Sequence, residues 1–186
     1  NPKDAQFFKR ASDIKFQHAK LCAFGMTRRR GVEANQDPGM KPLLESDTPI
    51  ITIVGKTSAF HVGTVLGVSL DENLEMIGDT VNYLTSESRE VFYDAEHFFD
   101  GWKLDADYST QTLKAAIRGG ATRLILCDTN GGTLPTEITS IVTEVIKSID
   151  VPLGIHCHND CDVAVANTLS AINAGCMQIQ GTINGI

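Results

Sequence analysis

The sequence predicts an α/β fold with a parallel β-sheet, and more specifically a fragment of a (β/α)8 TIM barrel. Short runs rich in β-branched and other apolar residues alternate along the chain with segments of helical periodicity. This alternation indicates parallel strands connected by crossover helices. The runs are almost continuously apolar, as expected for strands of a sheet that is covered on both faces.

An open doubly wound sheet and a barrel both fit this pattern. A closed barrel needs eight strands and typically about 250 residues, whereas this chain has 186 residues. The chain starts with Asn1 rather than methionine and stops at "GTINGI", so both ends look cut from a longer protein. We therefore favour a barrel fragment that covers roughly strands 3 to 8, with residues 1–186 forming part of one catalytic domain.

Six runs have the composition of strands, and each is short enough to be one strand of such a sheet. They are residues 20–26 (KLCAFGM), 49–55 (PIITIVG), 89–96 (REVFYDAE), 122–128 (TRLILCD), 151–158 (VPLGIHCH) and 177–183 (MQIQGTI).

Five other segments carry apolar residues three or four positions apart, which predicts one buried face on each helix. Pro2 and Pro135 stand where two of these helices begin, and Gly119, Gly120 and Gly175 follow the ends of two others. The residues predicted to face inward are Phe7, Phe8, Ala11 and Ile14; Leu74, Ile77, Val81 and Leu84; Leu113, Ala116 and Ile117; Ile138, Ile141, Val142, Val145 and Ile149; and Val165, Leu169 and Ile172.

Composition and charge weigh against several classes of function. The net charge of −7 disfavours a surface that binds nucleic acid or an anionic membrane. No apolar run approaches the roughly 20 residues of a membrane-spanning helix, and no signal peptide is recognisable. The five cysteines are an odd number and most lie beside apolar residues, so we expect buried, reduced thiols in a cytoplasmic protein.

Two histidines end the run at residues 151–158. Because side chains alternate between the two faces of a strand, His156 and His158 share one face at its carboxyl end. Active sites of parallel α/β folds lie at that end, and two neutral imidazoles suit a divalent cation whose other ligands come from other strands. The alternative is that one histidine caps the next helix, which Asn159 and Asp160 precede, while the other is merely polar.

Other predicted strands also end in polar residues. Asp94 and Glu96 share one face at the end of the run at residues 89–96, although a solvated loop would have the same sequence. Asp128, Thr129 and Asn130 end the run at residues 122–128, where a loop that caps a helix is the alternative. Because several parallel strands end in this way, we expect the rim of one pocket.

Two nucleotide-binding motifs are excluded by the sequence. Gly55-Lys56-Thr57 has the GK[ST] part of a phosphate-binding loop, but the glycine required five residues earlier is replaced by Ile50. No G-x-G-x-x-G motif is present, which weighs against a dinucleotide site. His61 follows in the same loop and is a candidate substrate-binding residue, although ordinary loop residues also have this composition.

The segment HCHND, followed by AVANTLSAINAG, resembles the signature of the acyl-CoA-dependent 2-isopropylmalate, homocitrate and citramalate synthases. This family belongs to the metal-dependent TIM-barrel superfamily that includes pyruvate carboxylase and aldolases. CDTNGGTLP and FYDAEHFFDG resemble two further family segments, and the likeness spans essentially the whole chain. NPKD, GKTSAFHV and DAEHFFDG make the chain most similar to the citramalate synthase branch.

The resemblance implies a Claisen condensation of acetyl-CoA with a 2-oxo acid in branched-chain amino-acid biosynthesis. It implies that His156 and His158 bind a divalent metal. Mixed nitrogen and oxygen ligation suits zinc, manganese or magnesium, and the choice among them stays open. It places Thr129 at the carboxylate of the oxo acid, Glu96 in proton transfer, and Asp94 in the wall of the oxo-acid pocket. It also implies small-molecule substrates and a homodimeric full-length protein.

Two expected parts of the family pattern are missing from the 186 residues. They are the Asp-x-x-x-Arg-Asp-Gly segment of the first strand, with a third metal ligand and a catalytic arginine, and the asparagine ligand and regulatory region after the eighth strand. We therefore expect the chain on its own to be inactive. Two alternatives to the synthase are a metal-dependent acyl-CoA lyase or aldolase of the same superfamily and a non-catalytic α/β binding module.

Overall fold

In a computed structural model that describes residues 2–185, the chain forms a single six-stranded, fully parallel sheet. Each strand lies inside, or within one residue of, a run predicted from the sequence. The strands are β1 (Cys22–Met26), β2 (Ile50–Lys56), β3 (Glu90–Glu96), β4 (Arg123–Asp128), β5 (Leu153–Cys157) and β6 (Gln178–Gln180).

The strands lie side by side in the order of the sequence, β1 to β6. A doubly wound sheet reverses its strand order at a switch point, and no reversal occurs here in residues 2–185. The sheet curls into a half-barrel with helices on its outer face, so the predicted barrel fragment is confirmed. Register is regular, since Cys22 pairs with Ile50 and Ile50 in turn pairs with Glu90.

The connections are helical, and the longest begin and end with recognisable caps. Ser69 accepts a hydrogen bond from the amide of Glu72 at the start of one helix, and Gly120 closes another at φ 105°. The helices are α1 (Pro2–Ala11), α2 (Met40–Glu45), α3 (Ala59–His61), α4 (Leu70–Ser86), α5 (Phe98–Leu104), α6 (Ala106–Gly119), α7 (Pro135–Ile146) and α8 (Ala164–Asn173), with a 3-10 turn at Ala34–Gln36 and a π turn at Val62–Leu66.

Most of the core lies between the outer face of the sheet and the helices. Tyr93, Leu124 and Leu126 on the strands are fully buried there against Ile77 and Val142 of the helices, as the helical periodicity predicts. A smaller cluster covers the inner face, and its members are Ile50, Phe92, Ile125 and Cys127. The inner face above this cluster is therefore free to carry polar side chains.

The position of helix α8 is correctly predicted, but the predicted burial of two of its side chains is wrong. Val165 and Leu169 are 75% and 59% exposed, whereas Asn167 and Ala171 are fully buried. Asn167 donates a hydrogen bond of 2.7 Å to the carbonyl of Thr133. Hydrophobic periodicity therefore selected the wrong side of α8, and the buried hydrogen bond of Asn167 anchors the helix in the observed rotation.

The first helix differs from the sequence prediction in a similar way. Phe7 is 55% exposed, and Ile14 is exposed beyond the end of α1 at Ala11. Phe8 packs against the core, and Ala11 is buried. The predicted start of this helix at Pro2 is confirmed, whereas Asn1 lies outside the described residues.

The five cysteines are all free thiols. Cys127 and Cys176 are buried and Cys157 is half-buried, as the sequence predicts, but Cys22 and Cys161 are exposed. Within residues 2–185, none of the helices combines the length and the apolar character that a membrane span requires.

The loop after β1 is held by Asp37, which is 6% exposed. Its carboxylate accepts hydrogen bonds from the amides of Arg29 at 2.6 Å and Gly39 at 2.7 Å. Burial raises the pKa of Asp37, but these two bonds and the charge of Arg29 outweigh it and hold the pKa below its ordinary value. The carboxylate therefore stabilises the loop in its ionised form.

Candidate active site at the carboxyl end of the sheet

A row of polar side chains crosses the inner face of the sheet near its carboxyl end. Lys56 pairs in register with Glu96, and His156 pairs with both Cys127 and Gln180. The β3–β4 ladder ends at Ala95 and Leu126, one residue before Glu96 and Cys127. Side chains two residues apart on a strand share a face, so Glu96 and Asp94 both point to the inner face. The row that contains Glu96 therefore lies two residues nearer the carboxyl ends of the strands than Asp94.

These side chains line a cavity of about 1010 Å³ on the concave side of the sheet. Five of the six site residues predicted from the sequence line it, namely Asp94, Glu96, Thr129, His156 and His158. Asn159 and Asp160 lie at its edge, and Phe24 and Val54 form an apolar wall. The predicted gathering of several strand ends around one pocket is thus observed in the geometry.

His156 is held by a hydrogen-bonded chain through Gln180. Its Nδ1 lies 2.8 Å from the Oε1 of Gln180, whose Nε2 donates to the Oδ1 of Asp94 at 2.9 Å. Since the amide nitrogen faces a carboxylate, the amide oxygen faces the imidazole, and Nδ1 must be its donor. This arrangement leaves Nε2 of His156 with a free lone pair, as a metal ligand requires.

Asp94 is the most deeply buried carboxylate on the inner face, at 4% exposure. Burial raises its pKa to about 6, against the opposing effects of the hydrogen bond from Gln180 and the nearby imidazole of His156. Asp94 can therefore exchange a proton near neutral pH, or lose it fully beside a cation.

His158 lies one residue beyond the end of β5 and is exposed. Its ring centroid is 5.2 Å from that of His156, and its amide donates to the carbonyl of Asp128 at 3.2 Å. The two imidazoles thus meet at the mouth of the cavity, as strand alternation predicts, with His156 below and His158 above.

Glu96 forms an ion pair with Lys56 across β2 and β3, and both side chains are mostly buried. The Oγ1 of Thr129 accepts a hydrogen bond of 2.9 Å from the amide of His97. His97 has φ 54°, which is uncommon for a residue with a side chain. Since the oxygen of Thr129 is already an acceptor for the protein, its hydroxyl proton is free to be donated into the cavity.

His61 does not line the cavity, although it lies next to the site. Its ring centroid is 4.3 Å from that of His97, and its Nδ1 is buried without a partner among the described residues. Burial, together with the nearby His97 and Lys56, lowers the pKa of His61 below its ordinary value. A direct contact of His61 with substrate stays a prediction.

Two polar residues at the strand ends have structural roles, and for Asp128 this role is the loop-capping alternative considered in the sequence. The carboxylate of Asp128 accepts hydrogen bonds from the hydroxyl of Thr133 at 2.9 Å and the amide of Asn167 at 3.5 Å. The Oδ1 of Asn159 accepts from the amide of Ala164 at 3.0 Å, where α8 begins. They build the loops that carry Thr129 and His158.

Sequence reasoning missed Cys127 and Gln180 as members of the site. Cys127 was expected only as a buried thiol, and burial does raise its pKa well above the ordinary value. Strand alternation was the available signal, because it places Cys127 and Gln180 on the opposite face of their strands from the neighbouring residues Leu126 and Ile179. The pairing of Gln180 with His156, 24 residues earlier, has no local signal in the sequence.

The donors of the site suit a divalent cation. Ligand atoms of Asp94, Cys127 and His156 all lie within 4.8 Å of one another, and His158 adds a further imidazole at the mouth. Ligands of one ion lie about 2.0–2.3 Å from it, so small side-chain movements bring these donors into range. The residues present therefore fit a bound metal.

Comparison with known proteins adds independent information. Residues 2–186 match the family model described as HMGL-like. The chain is 52% identical over 185 residues to (R)-citramalate synthase of Geobacter sulfurreducens, covering 100% of this chain and 35% of that protein. It is 50% identical over 187 residues to (R)-citramalate synthase of Aquifex aeolicus, again covering 100% and 35%.

More distant relatives extend this pattern. A probable 2-isopropylmalate synthase of Methanopyrus kandleri is 36% identical over 168 residues, covering 90% of this chain and 32% of that protein. The chain thus spans about a third of the length of the curated relatives that it matches. Among solved structures, HMG-CoA lyase of Bacillus subtilis has a TM-score of 0.80 at 16% identity, covering 97% of this chain and 59% of that one. That likeness supports the barrel fold alone.

Proposed function

We propose, on the premise that this chain belongs to the HMGL-like family, that it is part of an acyltransferase that joins acetyl-CoA to a 2-oxo acid. The reaction is a Claisen condensation of the kind that citramalate synthase performs, with pyruvate as the oxo acid. The high identity to curated citramalate synthases supports this assignment over the other branches of the family.

One observation carries the proposal: Glu96, Thr129, His156 and His158 line the same cavity. A condensation needs a base, an anchor for the carboxylate of the oxo acid and a site that polarises its keto group. The four side chains supply these three parts, and they lie at the carboxyl ends of three neighbouring strands of one sheet.

We assign His156 and His158 to a divalent cation, which is zinc, manganese or magnesium. When bound, such a cation supplies Lewis-acid polarisation of the keto oxygen of the substrate. The chain prepares His156 for this role through Gln180, which holds Nδ1 as the donor and leaves Nε2 free. His158 stands at the mouth, where its ring closes over the same space.

Glu96 is the proposed acceptor of the methyl proton of acetyl-CoA. Lys56 holds the carboxylate of Glu96 at the edge of the cavity, and the ion pair positions it while it is charged. Thr129 donates its hydroxyl proton to the carboxylate of the oxo acid, because the amide of His97 already occupies its oxygen. Asp94 and Phe24 bound the remaining space and set its size.

A second cavity supports acetyl-CoA as the other substrate. It has a volume of about 770 Å³ and lies beyond the end of β1, lined by Arg28, Arg29 and Arg30 together with Met26 and Leu66. Arg28 and Arg29 are paired with Asp79 and Asp37, whereas Arg30 is exposed. Guanidinium groups bind phosphate in a bidentate fashion, so we propose Arg30 as the residue of this cavity that binds a phosphate group of the CoA tail.

The alternative of a lyase has less support. The solved HMG-CoA lyases share the fold at 13% to 18% identity, which carries no information about the direction of the reaction. A non-catalytic binding module would not need Glu96 and Thr129 beside the two histidines. The synthase therefore explains more of the cavity than either alternative.

We also propose the setting in which the full-length protein works. It is a cytoplasmic homodimer that acts on small molecules rather than on nucleic acid or membranes, and its product enters branched-chain amino-acid biosynthesis. The net charge of −7 is consistent with this choice of partners. His61, beside His97, is a proposed neighbour of the bound substrate.

The test uses the full-length protein with acetyl-CoA and either pyruvate or 2-oxoisovalerate. We expect release of free CoA with pyruvate and formation of citramalate, identified by NMR from 13C-labelled pyruvate. A preference for 2-oxoisovalerate would move the assignment to 2-isopropylmalate synthesis. Absence of CoA release with both oxo acids would contradict the proposed condensation.

A further inference from the structure

The ion pair of Lys56 and Glu96 stands at the ends of two neighbouring strands. Lys56 is the last residue of β2 and pairs in register with Glu96, the last residue of β3. The β1–β2 ladder already ends at Val54, so β1 does not pair with the part of β2 that carries Lys56. Contacts from the outer helices hold this end of the strand instead.

Asn73 of α4 binds the backbone of Lys56 from the helical layer. Its Nδ2 donates one hydrogen bond of 2.9 Å to the carbonyl of Lys56 and another of 2.8 Å to the hydroxyl of Tyr108 on α6. Burial raises the pKa of Tyr108 to about 12, so this hydroxyl stays protonated at neutral pH. Both amide protons of Asn73 are thus used, one on the strand and one on the next long helix.

Ser109 and Thr57 add two further bonds at the next residue. The Oγ of Ser109 donates to the carbonyl of Thr57 at 3.1 Å, and the hydroxyl of Thr57 donates to the carbonyl of Glu96 at 2.6 Å. A Cβ on Gly101 of α5 would lie 2.9 Å from both the Oγ of Ser109 and the carbonyl oxygen of Thr57, so these elements pack without spare room. The ends of β2 and β3 are therefore joined to each other and to α6.

Packing alone does not explain an asparagine at position 73. The side chain of Asn73 is fully buried, and its Oδ1 has no hydrogen-bond partner among residues 2–185. An unpaired buried acceptor destabilises the folded state, so an apolar side chain would suit this part of the core better. The bond from Asn73 to the strand end that carries Lys56 gives the residue a different purpose.

We propose that Asn73 and Ser109 are positioning residues for the condensation. They hold the carbonyls of Lys56 and Thr57, so that the ammonium group of Lys56 keeps the carboxylate of Glu96 directed into the cavity. The inference rests on the proposed function, in which Glu96 accepts the methyl proton of acetyl-CoA. A misplacement of about 1 Å can lower a rate about 10²-fold, so both residues act on turnover although neither is among the residues that line the cavity.

The alternative is that these hydrogen bonds only join the helices to the sheet. Their loss would then lower the free energy of unfolding and leave the turnover of the folded enzyme unchanged. Thr112 is the matched control, because it is as fully buried as Ser109 on the same helix, and its hydroxyl donates to the carbonyl of Ser109 at 2.7 Å within α6. Ser109→Ala and Thr112→Val each remove one buried hydroxyl from α6, and the first of these hydroxyls bonds to the end of β2.

The experiment measures kcat and KM for pyruvate with full-length Asn73→Ala, Ser109→Ala and Thr112→Val, at a temperature where thermal unfolding shows each variant to be folded. We expect kcat to fall about 10- to 100-fold in Asn73→Ala and Ser109→Ala, with wild-type KM and metal content, and to be unchanged in Thr112→Val. Ser109→Ala decides the test if Asn73→Ala does not fold. Wild-type kcat in folded Ser109→Ala, or an equal loss in Thr112→Val, would overturn the proposal.

A second measurement needs no turnover. Reductive methylation of lysines, mapped by mass spectrometry, reports how accessible the amine of Lys56 is, and Lys41, whose side chain is 77% exposed, is the internal reference. We expect Lys56 to react faster in Asn73→Ala and Ser109→Ala than in the wild type and Thr112→Val, and equal rates would contradict the proposal. Faster labelling without CoA release by the wild type would retain the anchoring of Lys56 and remove the proposed condensation. CoA release with unchanged kcat and labelling in both variants would do the reverse.

Discussion

The Nδ1 of His156 lies 2.8 Å from the Oε1 of Gln180 on the neighbouring strand. Because the amide of Gln180 is oriented by Asp94, this contact decides which nitrogen of His156 carries the proton. The sheet register thus sets the tautomer of a candidate metal ligand. The two residues are 24 positions apart in sequence, and the parallel pairing of β5 with β6 brings them together.

Replacement of Gln180 by alanine should weaken metal binding without removing a ligand. We expect the dissociation constant for the bound cation to rise about 10- to 100-fold, because His156 loses the partner that fixes its tautomer. Calorimetric titration of the full-length protein measures this change, and 15N chemical shifts of His156 report the tautomer directly. Gln178→Ala, on the same face two residues earlier, is the control. Equal affinities for both variants would contradict the role of Gln180.

Replacement of Glu96 by glutamine should reduce turnover strongly. We expect the rate of CoA release to fall about 10²- to 10⁴-fold, the usual range for loss of a general base, with little change in the amount of bound metal. Glu90→Gln is the control, since Glu90 begins the same strand on the same face but lies away from the cavity. A Glu96→Gln enzyme with wild-type turnover would remove Glu96 from the proton transfer.

The loop after β1 should lose stability as the pH falls. The pKa of Asp37 is held below its ordinary value, so its stabilising effect is present above the unfolded-state pKa of about 3.9 and is lost as the pH drops through the lower folded-state value. Asp37→Asn should cost about 1–3 kcal/mol at pH 7, the cost of disrupting hydrogen bonds to a buried charge.

Urea unfolding of the full-length protein at pH 7 and near pH 3 tests this expectation. The difference in the free energy of unfolding between wild type and Asp37→Asn should shrink at the lower pH. Asp13→Asn, at an exposed position, should cause little change at either pH. A difference that is the same at both pH values would show that the charge of Asp37 is not what stabilises the loop.

The rotation of α8 should depend on Asn167. Asn167→Ala leaves the carbonyl of Thr133 without its 2.7 Å hydrogen bond, and a buried unpaired group of this kind costs about 1–3 kcal/mol. Thermal unfolding measures the loss. Asn173→Ala, at an exposed position near the end of the same helix, is the comparison and should be close to neutral. Equal stability of the two variants would contradict the anchoring role of Asn167.

Much of the fold follows from local sequence. The six strands and the alternation of their faces were predictable because period-two and helical patterns are local signals, and Asp94, Glu96, His156 and His158 could be placed by that alternation alone. The rotation of α8 was not, since Asn167 and Ala171 are buried while the more apolar Val165 and Leu169 are exposed. Packing against α7 and the loop before it settles that choice.

The site was predictable in part for the same reason. Residue types that commonly bind metals or substrates were recognised at the strand ends, whereas Cys127 was classed with ordinary buried thiols. Its proximity to side chains of β3 and β5 can be recognised only when the register of β3, β4 and β5 is known. His61 lies in the expected loop but packs on His97 beside the cavity rather than lining it, and its contact with substrate stays a prediction.

His156 and His158 are proposed to hold together the cation that a condensation requires. The decisive measurement is the rate of metal-dependent CoA release from acetyl-CoA and pyruvate by the full-length protein and by its His156→Ala and His158→Ala variants. We expect either substitution to abolish the metal-dependent rate. Wild-type turnover and undiminished metal content in both variants would contradict it.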